Sequence, residues 1–364
     1  MPSLSDPLAA LLRPELAELR AYVPHAGRFD VRLDANESPP LLSAEARAVV
    51  ARALAPDELG RYPDACATEL RAAIAARCDA DPDEVLVGVG SDEVIAMLLT
   101  ALDRPRAGAP AATVLTPTPT FVMYKMSARA RGLKVVEVPL DRGWDLDVTS
   151  MTRAVEVTRP NLVFIASPNN PTGALMSEDR LEAVIAAAPE ALVVVDEAYV
   201  DFAPRAQLSL RRRHPNVAVL RTLSKVGFAS LRVGWLIGPA ALVAEVDKVR
   251  SPYNLPVPSQ RAATAALREL GGEIERLTAA VVAERGRLAA GLAALGCEVA
   301  PSDANFLWVE TRRPAGEVFD ALAARGVLVR SFHAAGGRLA RRLRITVGLP
   351  AENDRLLAEM AACA

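Results

Sequence analysis

The chain has 364 residues, of which 51% are hydrophobic, and its 42 basic and 44 acidic residues leave a formal net charge of −2. A chain of this length and composition can bury a large core and favours two domains over one. Its balanced charge excludes a general electrostatic attraction to nucleic acid or to a membrane surface.

The first segment, residues 1–40, is punctuated by prolines and has no pattern from which a separate core would form. It lacks the basic and apolar regions of a signal peptide, and no run of about 18 apolar residues occurs anywhere in the chain. We therefore predict an N-terminal arm that packs on the small domain or on a partner subunit. The whole chain is predicted to be soluble and cytoplasmic.

The second segment, residues 41–255, is predicted to form a large α/β domain. Short β-branched runs alternate here with longer stretches of helical period. Continuous apolar strands that alternate with helices indicate a mostly parallel sheet covered on both faces. The predicted strands lie at 85–87, 113–115, 135–138, 162–166, 192–195, 217–220 and 233–237.

The third segment, residues 256–364, is predicted to form a smaller α+β domain. Prolines precede it, and long helical patterns then run to about residue 295. Strand-like segments at 305–309 and 342–347 flank a helical stretch near 316–325. A mixed segment of about 100 residues is large enough to be a domain.

The Gly-Val-Gly-Ser-Asp-Glu sequence at 88–93 follows the first predicted strand and opens a helical run. Backbone N–H groups at a helix start, with Ser91 or Asp92 as a cap, form an anion site. A dinucleotide fingerprint is one alternative, but Glu93 stands where its third glycine would be and would crowd a pyrophosphate. A plain turn is the other alternative.

Three more candidate phosphate ligands follow the strand at 217–220: Thr222, Ser224 and Arg232. Arg232 offers a bidentate fork that matches a phosphate group. Together with the glycine-containing turn, these residues favour an anion site over a plain turn.

Polar side chains follow the ends of three buried strand patterns, at 162–166, 192–195 and 217–220. These side chains are the amide of Asn170, the carboxylate of Asp196, the phenol of Tyr199 and the amine of Lys225. In an open α/β sheet, ligands bind beyond the carboxyl ends of the strands. The four groups are those needed to hold pyridoxal phosphate (PLP), with the amine for a Schiff base, the carboxylate for the ring nitrogen and the others for the ring hydroxyl.

Asp196 and Lys225 are the predicted catalytic centre, together with Tyr199. A buried carboxylate is rare unless it is paired, so Asp196 is predicted to face a protonated ring nitrogen, with helix capping as the alternative. Lys225, once released by substrate, would move a proton between substrate and cofactor. Phe121 is the candidate to stack on the ring, and an ordinary core position is its alternative.

Two arginines are candidates for binding substrate. Arg344 lies within an apolar strand pattern, where a guanidinium needs a carboxylate partner. A substrate carboxylate is the predicted partner, and an internal salt bridge is the alternative. Arg330 ends another strand pattern and is predicted either to hold a distal anionic group or to lie on the surface.

The spacing of cysteine and histidine predicts no metal site. Neither a CxxC pair nor a Cys/His ligand pattern occurs. The chain contains Cys66, Cys78, Cys297 and Cys363, and His25, His214 and His333. Scattered cysteines of this kind are predicted to be reduced thiols.

In their order along the chain, these motifs resemble the fold type I PLP-dependent aminotransferases, and within them the histidinol-phosphate aminotransferase family. The resemblance runs almost from end to end. Beginning with Tyr22, it is carried by the segments 33–39, 60–64, 90–93, 167–173, 196–199, 221–225 and 343–348. It implies a mostly parallel central sheet sandwiched by helices and a smaller α+β domain.

The resemblance also implies a role for each matched residue. Lys225 is similar to the Schiff-base lysine, Asp196 to the partner of the pyridine nitrogen, and Asn170 and Tyr199 to the contacts of the ring hydroxyl. The implied cofactor-binding residues around the phosphate are Gly90, Ser91, Asp92, Thr222, Ser224 and Arg232. Tyr62 matches a tyrosine that reaches the cofactor of the partner subunit, which implies a homodimer with shared active sites. The implied substrate-binding residues are Tyr22, Asn36, Arg330 and Arg344.

The chain departs from the family pattern at three places. Arg232 follows Lys225 by seven residues, where many relatives have eight. Phe121 stands where a tyrosine is frequent, which keeps the stacking surface and removes a hydroxyl. Residues 331–337 have no clear family pattern and border the distal end of the substrate.

The implied reaction is transamination between histidinol phosphate and 2-oxoglutarate, giving imidazole acetol phosphate and glutamate in histidine biosynthesis. An aromatic amino-acid aminotransferase and a phospho-amino-acid decarboxylase of the same fold remain alternatives. A ligand-sensing regulator is disfavoured because residues 1–35 hold neither a helix-turn-helix pattern nor a basic stripe. A nicotinamide oxidoreductase lacks the third glycine and a suitably spaced acid.

Overall fold

The computed structural model describes residues 6–19, 21, 25, 27–54, 60–106 and 108–363. Its helices are α1 (Asp6–Ala9), α2 (Ala44–Leu54), α3 (Thr68–Arg77), α4 (Gly90–Ala101), α5 (Val122–Arg129), α6 (Val148–Thr158), α7 (Glu178–Ala187), α8 (Leu210–Arg213), α9 (Ala240–Asp247), α10 (Val257–Glu269), α11 (Gly271–Ala294), α12 (Ala315–Ala324) and α13 (Pro350–Cys363). None of these helices combines the length and the apolar composition that crossing a bilayer requires.

The strands form three sheets. They are β1 (Val31–Arg32), β2 (Val85–Val89), β3 (Thr113–Thr118), β4 (Lys134–Pro139), β5 (Leu162–Ala166), β6 (Leu192–Asp196), β7 (Val217–Thr222), β8 (Val233–Ile237), β9 (Glu298–Ala300), β10 (Phe306–Glu310), β11 (Val327–Leu328), β12 (Arg330–Ser331) and β13 (Arg342–Thr346). The central sheet has seven strands in the order β2-β8-β7-β6-β5-β3-β4.

The central sheet is parallel except at one strand. β8 pairs antiparallel with both of its neighbours, β2 and β7. The pairs β7–β6, β6–β5, β5–β3 and β3–β4 are all parallel. The predicted mostly parallel sheet is therefore confirmed, with one reversed strand that periodicity did not predict.

Helices cover both faces of the central sheet, as its continuous apolar strands require. Successive residues of a strand point to opposite faces. In β5, Leu162 and Phe164 join one hydrophobic core with α4 and α5, while Val163 and Ile165 join another with α6 and α7. The carboxyl ends of the parallel strands β5, β6 and β7 therefore meet at one edge of the sheet.

A four-stranded antiparallel sheet, in the order β12-β13-β10-β9, lies in the C-terminal part of the chain. Its core is shared with α12, α13 and the second half of α11. The buried residues of α10, by contrast, join the core of α3 and β2. The domain boundaries at residues 40 and 255 stay predictions, since α10 follows the second boundary in sequence and packs with elements that precede it.

The N-terminal arm contacts two separate parts of the rest of the chain. Nη1 of Arg13 donates a hydrogen bond to the carbonyl oxygen of Arg131, just after α5. Further along, β1 pairs parallel with β11. The arm thus touches both the large sheet region and the C-terminal region of its own chain.

The segment 331–341, which includes the residues 331–337 that have no clear family pattern, connects the small sheet to the loop after β4. The guanidinium of Arg338 donates to the carbonyl oxygens of Leu140 and Asp141, each at 2.8 Å. It also lies 3.7 Å from the ring centroid of Trp144. Trp144 in turn packs edge-on against Trp308 of β10, with centroids 5.7 Å apart. This cluster connects the small sheet to the central sheet region of the chain.

Candidate active site

A cavity lies at the carboxyl ends of β5, β6 and β7. Its walls include most of the predicted cofactor-binding residues and four other residues: Ser91, Asp92, Phe121, Asn170, Asp196, Tyr199, Thr222, Ser224, Lys225 and Arg232, with Tyr124, Ala166, Pro168 and Ala198. Residues that are far apart in sequence are thus brought to one edge of the sheet.

Asp196 forms the acidic end of the cavity. It is the last residue of β6 and is only 4% exposed. Oδ1 accepts a hydrogen bond from the backbone N–H of Ala198 at 2.9 Å, and Oδ2 accepts one from the hydroxyl of Tyr124 at 2.5 Å. Burial raises the pKa of Asp196 to about 6, while these two hydrogen bonds and the charge of Lys225 act in the opposite direction.

Tyr124 is a functional candidate that the sequence analysis missed. It lies on α5, three residues after Phe121, and its ring stacks on Phe164 with centroids 4.8 Å apart. Burial, followed by the nearby Asp196, raises the pKa of Tyr124 well above its usual range, so the hydroxyl stays a donor. Its place beside Asp196 depends on how α5 packs against β5, so no local sequence pattern could have identified it.

The side chains of Tyr199 and Asn170, in the cavity wall, are held in place by hydrogen bonds from Asn36 and Arg344. Nδ2 of Asn36 donates to the phenol oxygen of Tyr199 at 2.9 Å, which leaves the proton of Tyr199 free to point elsewhere. Oδ1 of Asn170 accepts from Nη1 of Arg344 at 2.7 Å, so its amide N–H groups remain available as donors. Asn36 is 1% exposed and supports the site without lining the cavity.

The opposite end of the cavity is a cradle that requires glycine. A Cβ on Gly234 would lie 2.3 Å from the backbone nitrogen of Ser91, and one on Gly90 would lie 2.6 Å from Nη2 of Arg232. Neither separation is sterically possible, and Gly90 also has a φ of +75°. The two glycines therefore let β8 and Arg232 approach the start of α4, where backbone N–H groups have no helical partner.

Polar side chains complete this cradle. Nη2 of Arg232 lies 3.6 Å from Oδ2 of Asp92. The hydroxyl of Thr222 donates to Oγ of Ser224 at 2.9 Å and lies 3.0 Å from the carbonyl oxygen of Val233. A guanidinium, two hydroxyls and a helix start are a donor set suited to a dianion.

Lys225 lies between the two ends of the cavity, on the loop after β7. Its Nζ is 5.7 Å from the ring centroid of Tyr199. The charge of Lys225 also lowers the pKa of Asp196, because the amine lies near that carboxylate. An amine, an acid and an anion cradle in one cavity match the aldehyde, the ring nitrogen and the phosphate of PLP, so the residues present fit this cofactor.

The two predicted substrate arginines lie side by side on the small sheet. Arg330 and Arg344 are directly opposite each other on the antiparallel strands β12 and β13. Nη2 of Arg344 donates to the carbonyl oxygen of Asp34 at 2.5 Å, in addition to its bond with Asn170. Within the part of the chain that the structure describes, the Arg330 side chain has no hydrogen-bond or ion-pair partner.

Among the described residues, five predicted site residues do not line the cavity: Asn36, Tyr62, Gly90, Arg330 and Arg344. Tyr62 is 80% exposed and stacks on Tyr253, with ring centroids 4.6 Å apart, along a different groove that contains α10. Tyr22 lies outside the residues that the structure describes. Over the described ranges, no cluster of three or more His, Cys, Asp or Glu side chains is arranged to hold a metal ion.

Comparisons with known proteins agree with this geometry. The sequence model of the family "Aminotransferase class I and II" matches residues 30–360. Histidinol-phosphate aminotransferase from Methylibium petroleiphilum is 43% identical over 99% of this chain and 96% of its own length. The protein of the same name from Chromobacterium violaceum is 42% identical, over 95% of this chain and 96% of its own.

The same likeness holds among solved structures. The crystal structure of histidinol-phosphate aminotransferase from Sinorhizobium meliloti, in complex with pyridoxal-5'-phosphate, superposes with a TM-score of 0.85. The two sequences are 25% identical, and the match covers 97% of each chain.

Proposed function

This chain belongs to the class I and II aminotransferases, and from that premise we propose that it transfers an amino group from histidinol phosphate to 2-oxoglutarate. The products are imidazole acetol phosphate and glutamate. The name shared by relatives that match nearly the whole chain supports this substrate. The chain is an aminotransferase that uses PLP, since the family, a solved neighbour with bound cofactor and the donor set of the cavity agree.

The observation that carries the substrate assignment is the pair Arg330 and Arg344. Like charges directly opposite each other on antiparallel strands repel. An anion bound between the two guanidinium groups would remove this repulsion and stabilise the sheet. Histidinol phosphate has a phosphate where an amino acid has its α-carboxylate. A phosphate carries more charge and more acceptor oxygens than a carboxylate, and two guanidinium groups suit it better than one.

Each side of the cavity has a proposed role in the reaction. The start of α4, Ser224 and Arg232 hold the cofactor phosphate, and Asp196 holds the ring nitrogen. When bound, PLP supplies an aldehyde that links covalently to amines and a ring that withdraws electrons from the substrate carbon. Nζ of Lys225 removes the proton from that carbon and returns it on the cofactor side. Phe121 forms the wall against the ring and excludes water from it.

The substrate is tested by half-reactions of the PLP-loaded enzyme with histidinol phosphate, phenylalanine and glutamate, each followed by the change in cofactor absorption. We expect histidinol phosphate and glutamate to react. In Arg330→Ala, KM for histidinol phosphate should rise about 10- to 100-fold, because one charge-assisted hydrogen bond is lost, while glutamate changes less. Arg355→Ala, on the exposed face of α13, is the matched control.

Three results would contradict this assignment. Conversion of phenylalanine without conversion of histidinol phosphate would indicate an aromatic amino-acid aminotransferase. Release of carbon dioxide in place of an oxo product would indicate the decarboxylase. If Arg330→Ala raised KM equally for histidinol phosphate and glutamate, Arg330 would not be the residue that recognises the substrate phosphate.

We also propose a homodimer in which each subunit completes the active site of the other. Tyr62 and Tyr253 form an exposed aromatic pair away from the cavity of their own chain, where they are available to a second copy. An equal mixture of Lys225→Ala and Tyr62→Ala variants tests this arrangement. Random reassociation would leave about a quarter of the sites with neither change, so activity should exceed that of either parent.

The control for this mixture is the same pair of variants mixed without dissociation of the subunits. No gain in activity after dissociation and reassociation, or a monomer in sedimentation, would rule out shared sites.

A cytoplasmic location is proposed as well, since the four cysteines are free thiols. Recovery of the protein in a membrane or periplasmic fraction would contradict it.

A further inference from the structure

We propose that Tyr124 is a positioning residue, whose hydroxyl keeps Asp196 ionised and thereby keeps the proton on the ring nitrogen of the cofactor. This proposal rests on the proposed use of PLP. It gives a role to a side chain for which no contact with the substrate is proposed. The role follows from the position of the hydroxyl behind the acid.

The packing around Tyr124 holds its hydroxyl against the carboxylate of Asp196. The residue is fully buried, and its hydroxyl donates to Oδ2 of Asp196 at 2.5 Å. Its ring is fixed between Phe164, stacked at an interplanar angle of 4°, and Phe121, edge-on at 85°. A ring held on two sides cannot turn its hydroxyl away, so the hydrogen bond is built into the core of α5 and β5.

The charges around Asp196 explain why this bond matters. Burial disfavours the ionised carboxylate, and the negative charge of Asp92 adds to that effect. The opposing groups are the Tyr124 hydroxyl, the backbone N–H of Ala198 and the charge of Lys225. Asp196 is close to the balance between its two forms, with a pKa of about 6, so the loss of one donor shifts it toward the neutral form.

A neutral Asp196 would weaken catalysis without weakening the fold. The acid and the ring nitrogen share one proton. If the carboxylate loses a donor, the proton moves from the ring nitrogen toward the acid. The ring then withdraws electrons less strongly from the substrate carbon, and proton removal by Lys225 becomes slower. Tyr124 therefore acts on the reaction through Asp196.

Tyr124→Phe tests the proposal because it removes only the hydroxyl. The readout is the ¹⁵N NMR shift of bound PLP labelled at the ring nitrogen. We expect the wild type in the protonated range and Tyr124→Phe displaced toward the unprotonated range, with half-reaction rates lower by about tenfold. Thr278→Val is the matched control, since it removes a buried hydroxyl that donates to a carbonyl oxygen of its own helix, α11, and should leave the nitrogen signal near that of the wild type.

An unchanged nitrogen signal in well-folded Tyr124→Phe would overturn the proposal, whatever happens to the rate. If that variant folds poorly, Tyr124→His decides, because its ring N–H can replace the donor. A protonated signal in Tyr124→His supports the proposal, and an unprotonated signal overturns it. A wild type that binds no PLP would instead contradict the proposed function.

Discussion

Lys225→Ala is expected to lose the covalent link to the cofactor and at least about 10⁴-fold in transamination rate. The amine is the one group placed both to bond to an aldehyde and to move a proton in the cavity. After treatment with borohydride, the wild-type chain should keep the added mass of PLP, and the variant should keep the mass of the bare chain. Both measurements report on residue 225 itself.

Lys248→Ala is the matched control for this experiment. Lys248 lies just after α9 and its side chain is 66% exposed, paired only with Glu245 of the same helix. It should retain both the cofactor and the activity. If Lys225→Ala instead kept the covalent cofactor, the amine would have been assigned to the wrong residue.

Asp196→Asn is expected to lower transamination by about 10²- to 10³-fold, as does the removal of other preorganised charges in active sites. The amide has nearly the shape of the carboxylate, but it is neutral and cannot form an ion pair with the protonated ring nitrogen. Steady-state rates with saturating PLP measure this loss. An equal activity in Asp196→Asn and wild type would exclude the ion pair.

The same substitution should stabilise the protein without cofactor. The pKa of Asp196 is about 6 in the folded chain and about 3.9 when unfolded, so the folded state binds the proton more tightly. The free energy of unfolding therefore falls as pH rises from about 4 to 6, by about 3 kcal/mol, and stays lower above that range. Asp196→Asn removes this dependence.

Urea denaturation of the two apoproteins between about pH 4 and pH 8 measures this difference. The variants should be similar near the acid end, and the asparagine form should be more stable at neutral pH. A wild type whose stability does not change across this range would show that Asp196 is not destabilised by burial. Together the two outcomes describe a residue that increases activity at the expense of stability.

Much of the fold follows from local sequence patterns. The strand runs at 85–87, 162–166 and 192–195 are continuous and apolar because both faces are covered, and each is found as a buried strand. Periodicity carries no direction, however, so it could not predict that β8 runs opposite to its neighbours. Nor could it assign α10, whose buried face is set by packing with α3.

The candidate site was predictable where residues follow strands directly. Asn170, Asp196 and Lys225 lie after β5, β6 and β7, and the topology alone brings them together. Tyr124 was missed because its role depends on how α5 sits against β5, which no local spacing specifies. The bond between Arg344 and Asn170 joins residues 174 positions apart, and only the packed structure brings them into contact.

The reversed direction of β8 has a consequence for how this family can vary. Antiparallel neighbours can be joined directly, and here the connection is residues 223–232, which include Lys225 and Arg232. This one loop thus carries both the proposed covalent anchor and a proposed ligand of the phosphate, and the backbone N–H of Gly90 donates to the carbonyl oxygen of Arg232 at 2.8 Å. Gaining or losing a residue between Lys225 and Arg232 would therefore change the distance between these two proposed contacts with the cofactor, and the start of α4 would have to shift with Arg232.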